Sequence, residues 1–173
     1  MLETRRLALR EMSVDDADFI LGLMNEPSFL RYIGDKKVRT VEDARRYIVN
    51  GPVESYRRHG IGLYLVELKA SGAAIGTCGL LRREQLDDFD VGFAFLPRYW
   101  SQGYAFEAAA AVMDYATKSL GLKRIVAVTS PDNDRSIRLL AKLGMRFERT
   151  MTLVEGEPEV ELLAWVASPR AAR

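Results

Sequence analysis

The stretch "DVGFAFLPRYWSQGYAFEAAAAVMDYA", Asp90 to Ala116, decides the fold. Its first seven residues read as a strand closed by Pro97, and a polar turn follows. Gly103 then opens an alanine-rich helix running to about Leu120, where Gly121 suits a left-handed cap. "RIVAVT", Arg124 to Thr129, is a continuous apolar strand of the kind buried on both faces. Two strands joined through a helix are normally parallel neighbours, so "DVGFAFL" and "RIVAVT" are predicted to lie side by side.

Outward from this unit, "RLALRE" (Arg6 to Glu11) alternates apolar and charged residues as a half-buried strand. Ser13 caps a helix carrying Phe19, Ile20 and Leu23 on one face, stopped by Asn25 and Pro27. Thr40 and Asp43 form a capping box before a second amphipathic helix, ended by Gly51-Pro52. "IGLYLVEL" (Ile61 to Leu68) and "AIGTCGLLR" (Ala74 to Arg82) flank "KASGA" as an antiparallel hairpin. After the central unit comes a helix with Ile137, Leu140 and Ala141 on one side, stopped by Gly144, and a closing strand pair around Gly156. This order does not alternate strictly, so the expectation is a single α+β domain over residues 1–173 with a mixed sheet.

The 173 residues carry 25 Lys plus Arg against 24 Asp plus Glu, so no global field draws nucleic acid or an anionic membrane surface. One cysteine, Cys78, excludes an intramolecular disulfide, and no apolar run approaches the length of a membrane span. The N-terminus lacks the pattern of a signal peptide. A cytoplasmic enzyme or binding domain is the expectation, with no nucleic-acid or membrane partner.

The turn from Pro97 to Ala105 ends at a helix N-terminus, where backbone N–H groups lack intrahelical partners and the helix dipole favours an anion. Gly103 and Ala105 keep side chains out of the way, so phosphate can be held by amides alone. Gly103 equally suits a sharp turn that binds nothing. The P-loop string is absent, and "GIGLYL" at Gly60 lacks the third glycine of a dinucleotide fingerprint and runs into a strand.

"VGFAFLPRYWSQGYAFEAA" (Val91 to Ala109), followed by "NDRSIRLLAKLGM" (Asn133 to Met145), resembles the GNAT superfamily of acyl-CoA-dependent N-acyltransferases. Within it the resemblance is to the Rim-type (RimJ/RimL-like) ribosomal-protein N-acetyltransferases: Tyr99-Trp100, then Gly103-Tyr104-Ala105, then Glu107-Ala108, with Asn133 and Ser136 downstream. It extends to "TRRLALRE" at Thr4 and "ELLAW" at Glu161. The resemblance implies a twisted mixed sheet of about seven strands flanked by about four helices.

The superfamily pattern Gln/Arg-x-x-Gly-x-Gly/Ala falls on Trp100 to Ala105, with Trp in the first position. Carried over, it implies that acetyl-CoA, as co-substrate and without a metal, contacts Phe93, Ala94 and Phe95, the loop Trp100, Ser101, Gln102, Gly103, Tyr104, Ala105 and Phe106, and Asn133 and Ser136. The acceptor is an amine, a protein N-terminus or a small molecule, and the protein a monomer or homodimer.

Attack on a thioester needs a free amine, an oxyanion donor and a departing thiolate. The resemblance makes the Phe95 amide the oxyanion donor and Asp90 the base, where Rim-type relatives carry Glu. Period-two geometry places Asp90 on the face of Gly92 and Ala94. The alternative for Asp90 is an exposed charge beside Asp87 and Asp88. Leu140 stands where many members carry a Tyr, leaving Ser136, Tyr104 or a water as proton donor; Ser136 is otherwise a helix-start residue. That departure motivates a second reading, a non-catalytic acyl-CoA-binding or sensing module.

Glu107 reads as a helix-dipole and packing residue, Cys78 as core, and His59 as exposed with no metal-ligand cluster around it. The basic excess from Lys123 to Arg149 reads as a solvated face or an approach to the CoA phosphates. Phe29, Tyr32 and Tyr56 either line an acceptor pocket or cover the core.

Overall fold

The computed structural model describes residues 1–168. Its strands are β1 (Leu2–Glu3), β2 (Leu7–Arg10), β3 (Leu63–Leu68), β4 (Ala74–Leu81), β5 (Asp90–Phe95), β6 (Arg124–Thr129), β7 (Arg146–Met151) and β8 (Val160–Val166). Its α-helices are α1 (Ala17–Met24), α2 (Pro27–Tyr32), α3 (Val41–Ile48), α4 (Glu54–His59), α5 (Tyr104–Asp114) and α6 (Asp134–Lys142). They form an α+β fold around one 8-stranded sheet in the order β1-β2-β3-β4-β5-β6-β8-β7. The extra strand relative to expectation is the dipeptide β1, too short for periodicity to reveal.

All neighbours in the sheet are antiparallel except β5 and β6. Those two pair in parallel at one position only, Asp90 opposite Val126, and then part. The predicted parallel adjacency is present, but the pairing ends almost as soon as it begins.

Each face of the sheet is covered by a different set of helices. Ile20, Leu23, Ala44 and Ile48 from α1 and α3 pack with Leu65 and Leu96, and Ala94 leans on the same cluster. On the other face, Ala108, Ala109 and Val112 of α5 and Leu140 of α6 pack with Val91, Phe95, Ile125 and Ala127. The run of alanines lets α5 approach the sheet closely. A smaller cluster of Leu86, Val126, Leu162 and Ala164 sits beside Asp90's end of the sheet.

Three local readings change. Pro27 does not stop a helix but starts α2 at its first position, where its missing N–H costs nothing. Gly51-Pro52 does not end the second helix: a π-helical turn, Val49–Val53, carries the chain past Pro52 into α4. Wider i→i+5 bonding tolerates a residue without a donor. In α6 the buried side chain is Leu140, whereas Ala141 is exposed, one residue round the helix from the buried line. Among the described residues, no helix is long and apolar enough to cross a membrane.

Candidate active site

Strand alternation determines what the gap between β5 and β6 offers. The Leu96 N–H donates to the Ile75 carbonyl at 3.0 Å, so the peptide groups of Gly92 and Ala94 also turn toward β4. Those of Val91, Phe93 and Phe95 turn the other way, toward β6. Because the β5–β6 ladder ends at Asp90, Phe93 and Phe95 present amides with no strand opposite them. Buried peptide groups are normally paired, so an opening of this kind is a place for an extended ligand. The Phe95 carbonyl accepts from the Trp100 indole Nε1 at 2.8 Å, which closes the far end of the gap.

Beyond β5 the chain turns through Pro97–Tyr99 into the loop before α5. Ser101 (φ 60°) and Gly103 (φ 81°, the N-cap) both lie in the left-handed region. The amides of Ser101, Gln102, Gly103, Tyr104, Ala105 and Phe106 find no acceptor among the described residues; the first inward bond is Glu107 N–H to the Gly103 carbonyl at 3.0 Å. Ser101, Gln102, Gly103 and Phe106 are exposed. A row of free amides on a helix N-terminus is chemically matched to a pyrophosphate.

A residue from the bend between β1 and β2 fixes this loop. Arg6 donates from Nε to Glu107 Oε2 (2.7 Å) and from Nη1 to the Gln102 carbonyl (3.0 Å). Its guanidinium carbon lies 4.3 Å from the Tyr104 ring centroid. Glu107 also accepts from the Arg6 amide (2.9 Å) and the Thr4 hydroxyl (2.6 Å). Desolvation pushes the Glu107 carboxyl up, but the bonds from Thr4 and Arg6 outweigh it and hold the pKa below its ordinary value. Glu107 is thus a packing residue, as read from sequence, and a long-range anchor besides. The room left by Gly103 is also partly taken: a Cβ there would stand 3.2 Å from Arg6 Nη2.

Asp90 is not an exposed strand-start charge. It is 1% exposed, beside Val126 and the apolar cluster around Leu86. Arg83 Nε donates to its Oδ2 at 3.0 Å, while Oδ1 is buried without a partner among the described residues. Burial pushes the carboxyl above its ordinary pKa, and the Arg83 charge and hydrogen bond pull part of the way back. A buried carboxyl with one uncommitted oxygen and raised proton affinity is suited to taking a proton.

Across the gap, Asn133 caps α6, its Oδ1 accepting from the Ser136 N–H at 3.2 Å. Ser136 therefore lies in the first turn, half-buried. Leu140 is 1% exposed and sits in the core, offering no proton donor. Arg135 Nη1 reaches Ser101 Oγ at 3.2 Å, and its guanidinium carbon stands 5.0 Å from the Trp100 ring centroid. From the basic run, then, Arg135 flanks the loop.

Cys78 is fully buried, with its thiol pushed up by desolvation, and His59 is exposed, its ring edge-on to Phe89. Phe29 belongs to the core, while the half-buried Tyr56 stacks on Tyr64 and bonds Met12 N–H and the Leu63 carbonyl. Both cover the core; Tyr32 is half-buried, with the Arg31 guanidinium carbon 4.8 Å from its ring centroid. A groove of about 300 Å³ along α3, lined by Val14, Glu42, Arg45, Arg46, Val49 and Asn50, shares no residue with the β5–β6 opening. No group of three or more His, Cys, Asp or Glu among the described residues is placed to hold a metal. Sequence reasoning missed Arg6 and Arg83, and took Arg135 only as part of the basic run; the partners of all three lie on other elements.

A sheet split between two parallel strands, with a free-amide loop at the end of one of them, defines the acetyltransferase class of fold. Residues 6–146 match the acetyltransferase (GNAT) domain, and the chain belongs to that family. It is 31% identical over 153 residues to the uncharacterized protein YkkB of Bacillus subtilis, covering 87% of each chain. It is 32% identical to the uncharacterized N-acetyltransferase YoaA of the same organism, covering 86% of this chain and 84% of the relative. Its fold is similar to that of RimL, a ribosomal L7/L12 alpha-N-protein acetyltransferase solved in complex with coenzyme A. The TM-score is 0.82 at 16% identity, over 95% of this chain and 96% of that one.

Proposed function

We propose that this protein transfers the acetyl group of acetyl-CoA to a primary amine by direct attack in a ternary complex. The observation that carries the reading is two neighbouring sets of uncommitted amides, Phe93 and Phe95 in the gap and Ser101 to Phe106 at the helix start. Phe93, Ala94 and Phe95 would border the acyl-pantetheine arm. Trp100, Ser101, Gln102, Gly103, Tyr104, Ala105 and Phe106 would surround the pyrophosphate, with Asn133 and Arg135 alongside.

In the transfer step the amine nitrogen attacks the thioester carbon, a C–N bond forms and the C–S bond breaks. Asp90 Oδ1 takes the amine proton through water. The Phe95 N–H meets the developing oxyanion. The thiolate leaves with a proton from Ser136 Oγ, the Tyr104 hydroxyl or water. RimL's activity as an alpha-N-protein acetyltransferase, together with the Tyr-Trp and Gly-Tyr-Ala marks in this chain, favours a protein N-terminus as acceptor and the Rim-type branch; a small-molecule amine is the other candidate. The buried Leu140 favours, as second reading, a non-catalytic acyl-CoA-binding or sensing module.

Saturating acetyl-CoA should raise the unfolding midpoint, and free-thiol release should follow addition of N-terminal peptides or amines. Asp90→Asn should cut the transfer rate by about 10²–10⁴-fold while leaving the acetyl-CoA shift intact. No shift with any acyl-CoA would overturn the reading; a shift without thiol release across the panel would favour the binding module.

A further inference from the structure

Arg83 occupies the connection between β4 and β5, and that connection is braced at several points. Leu86 N–H donates to the Arg83 carbonyl (3.2 Å), Arg82 Nη1 donates to the Leu86 carbonyl (2.6 Å), and Leu86 itself is buried against Val126. Arg124 Nε donates to Asp88 Oδ2 at 2.9 Å, pinning the far end of the turn to β6. The guanidinium is thus delivered to Asp90 by a supported segment, as a preorganised site requires. Its contact is one-sided: Nε engages Oδ2, and nothing among the described residues engages Oδ1.

We propose that Arg83 is a positioning residue for acetyl transfer: from the braced β4–β5 connection it grips Oδ2 of Asp90 and leaves Oδ1, buried and without a partner among the described residues, as the carboxyl oxygen that takes the proton relayed from the acceptor amine. The proposal rests on Asp90 being the base. A carboxyl gripped at one oxygen cannot rotate freely, so the proton-accepting lone pairs hold one direction. The same contact sets how readily the proton is held, since a cation at this distance favours the ionised form against the surrounding desolvation.

Among the described residues, Arg83 is the one charged side chain acting on Asp90. From the α2–α3 connection Lys36, exposed as a residue, has its ammonium lowered by desolvation and then by Arg83, with Glu157 of the β7–β8 connection opposing. From α3 the half-buried Tyr47 is raised by desolvation and lowered by Arg83. None of these groups is among those acting on Asp90, and Asp88 is committed to Arg124. Removing the Arg83 charge therefore leaves only the Asp90 backbone N–H to oppose desolvation of the carboxyl.

The test is a ¹³C NMR titration of the aspartate carboxyls in the full-length protein, with the Asp90 signal assigned by its loss in Asp90→Asn. In Arg83→Gln the Asp90 midpoint should move up by about one pH unit or more. Arg83→Lys, which keeps the charge, should move it less, and it provides a second variant should Arg83→Gln fail to fold. With an amine acceptor, the acidic limb of kcat/KM should move in parallel in Arg83→Gln. An Asp90 midpoint unchanged in both variants overturns the inference, as does a rate loss with the acidic limb in place. Should Asp90→Asn transfer acetyl at the wild-type rate and pH profile, the base assignment fails instead, whatever the NMR titration gives.

Discussion

Gly103→Ala isolates what the loop glycine does. At φ 81° an L-residue pays a backbone cost of about 1–2 kcal/mol. Its new Cβ also stands 3.2 Å from Arg6 Nη2, so the guanidinium must retreat from its bonds to Glu107 and Gln102. Weakening a charge-assisted bond adds about 0.5–1 kcal/mol. Gly121→Ala is the matched control, because Gly121 has φ 69° and nothing within 4 Å of an added Cβ. It pays the backbone term alone, and the gain from stiffening the unfolded chain is common to both variants. Urea unfolding should therefore place Gly103→Ala below Gly121→Ala by about 0.5–1 kcal/mol, with equal m-values. Saturating acetyl-CoA should stabilise Gly121→Ala as it does the parent protein and Gly103→Ala less. Equal stabilities and equal ligand responses in the two variants would refute the link between Gly103 and Arg6.

Glu107→Gln removes the charge that anchors Arg6 and Thr4 and should cost about 1–2 kcal/mol at pH 7 by denaturant unfolding, discounted for the partial exposure of the pair. Because the folded carboxyl is held below its unfolded pKa, that stability is present above the unfolded pKa, about 4.3, and is lost as pH falls through the folded value. The two proteins should converge in acid; a gap that persists there would contradict the charge-based account. Asn133→Ala should lose about 1 kcal/mol through the α6 cap alone, and a normal unfolding midpoint would show the cap to be dispensable. The Cys78 thiol should resist a disulfide-exchange reagent in the native protein and react on unfolding; prompt native labelling would contradict its burial.

By itself the sequence determined the strand–loop–helix at Asp90–Ala116, the parallel neighbour Arg124–Thr129, the hairpin and the Ser13 and Thr40 caps. Each of these depends on residues a few positions apart, where periodicity and capping act directly on the backbone. It did not expose α2 or the passage of Pro52 through a π-helical turn, because proline's local meaning depends on whether its missing N–H has a partner to lose. Asp90 was legible as a candidate, but its burial was not. Asp87 and Asp88 precede it in the chain, and only the register that places Val126 opposite and folds Leu86 beside it takes the carboxyl out of water. The Arg6–Glu107 anchor joins residues 101 positions apart, and Arg135 meets Ser101 across 34. No local pattern encodes such pairs. They exist because closing the sheet brings β2, the loop before α5 and the start of α6 to one end of the β5–β6 gap. Sequence thus supplied the amide loop, and tertiary packing decided which charges hold it and which oxygen of Asp90 is left free.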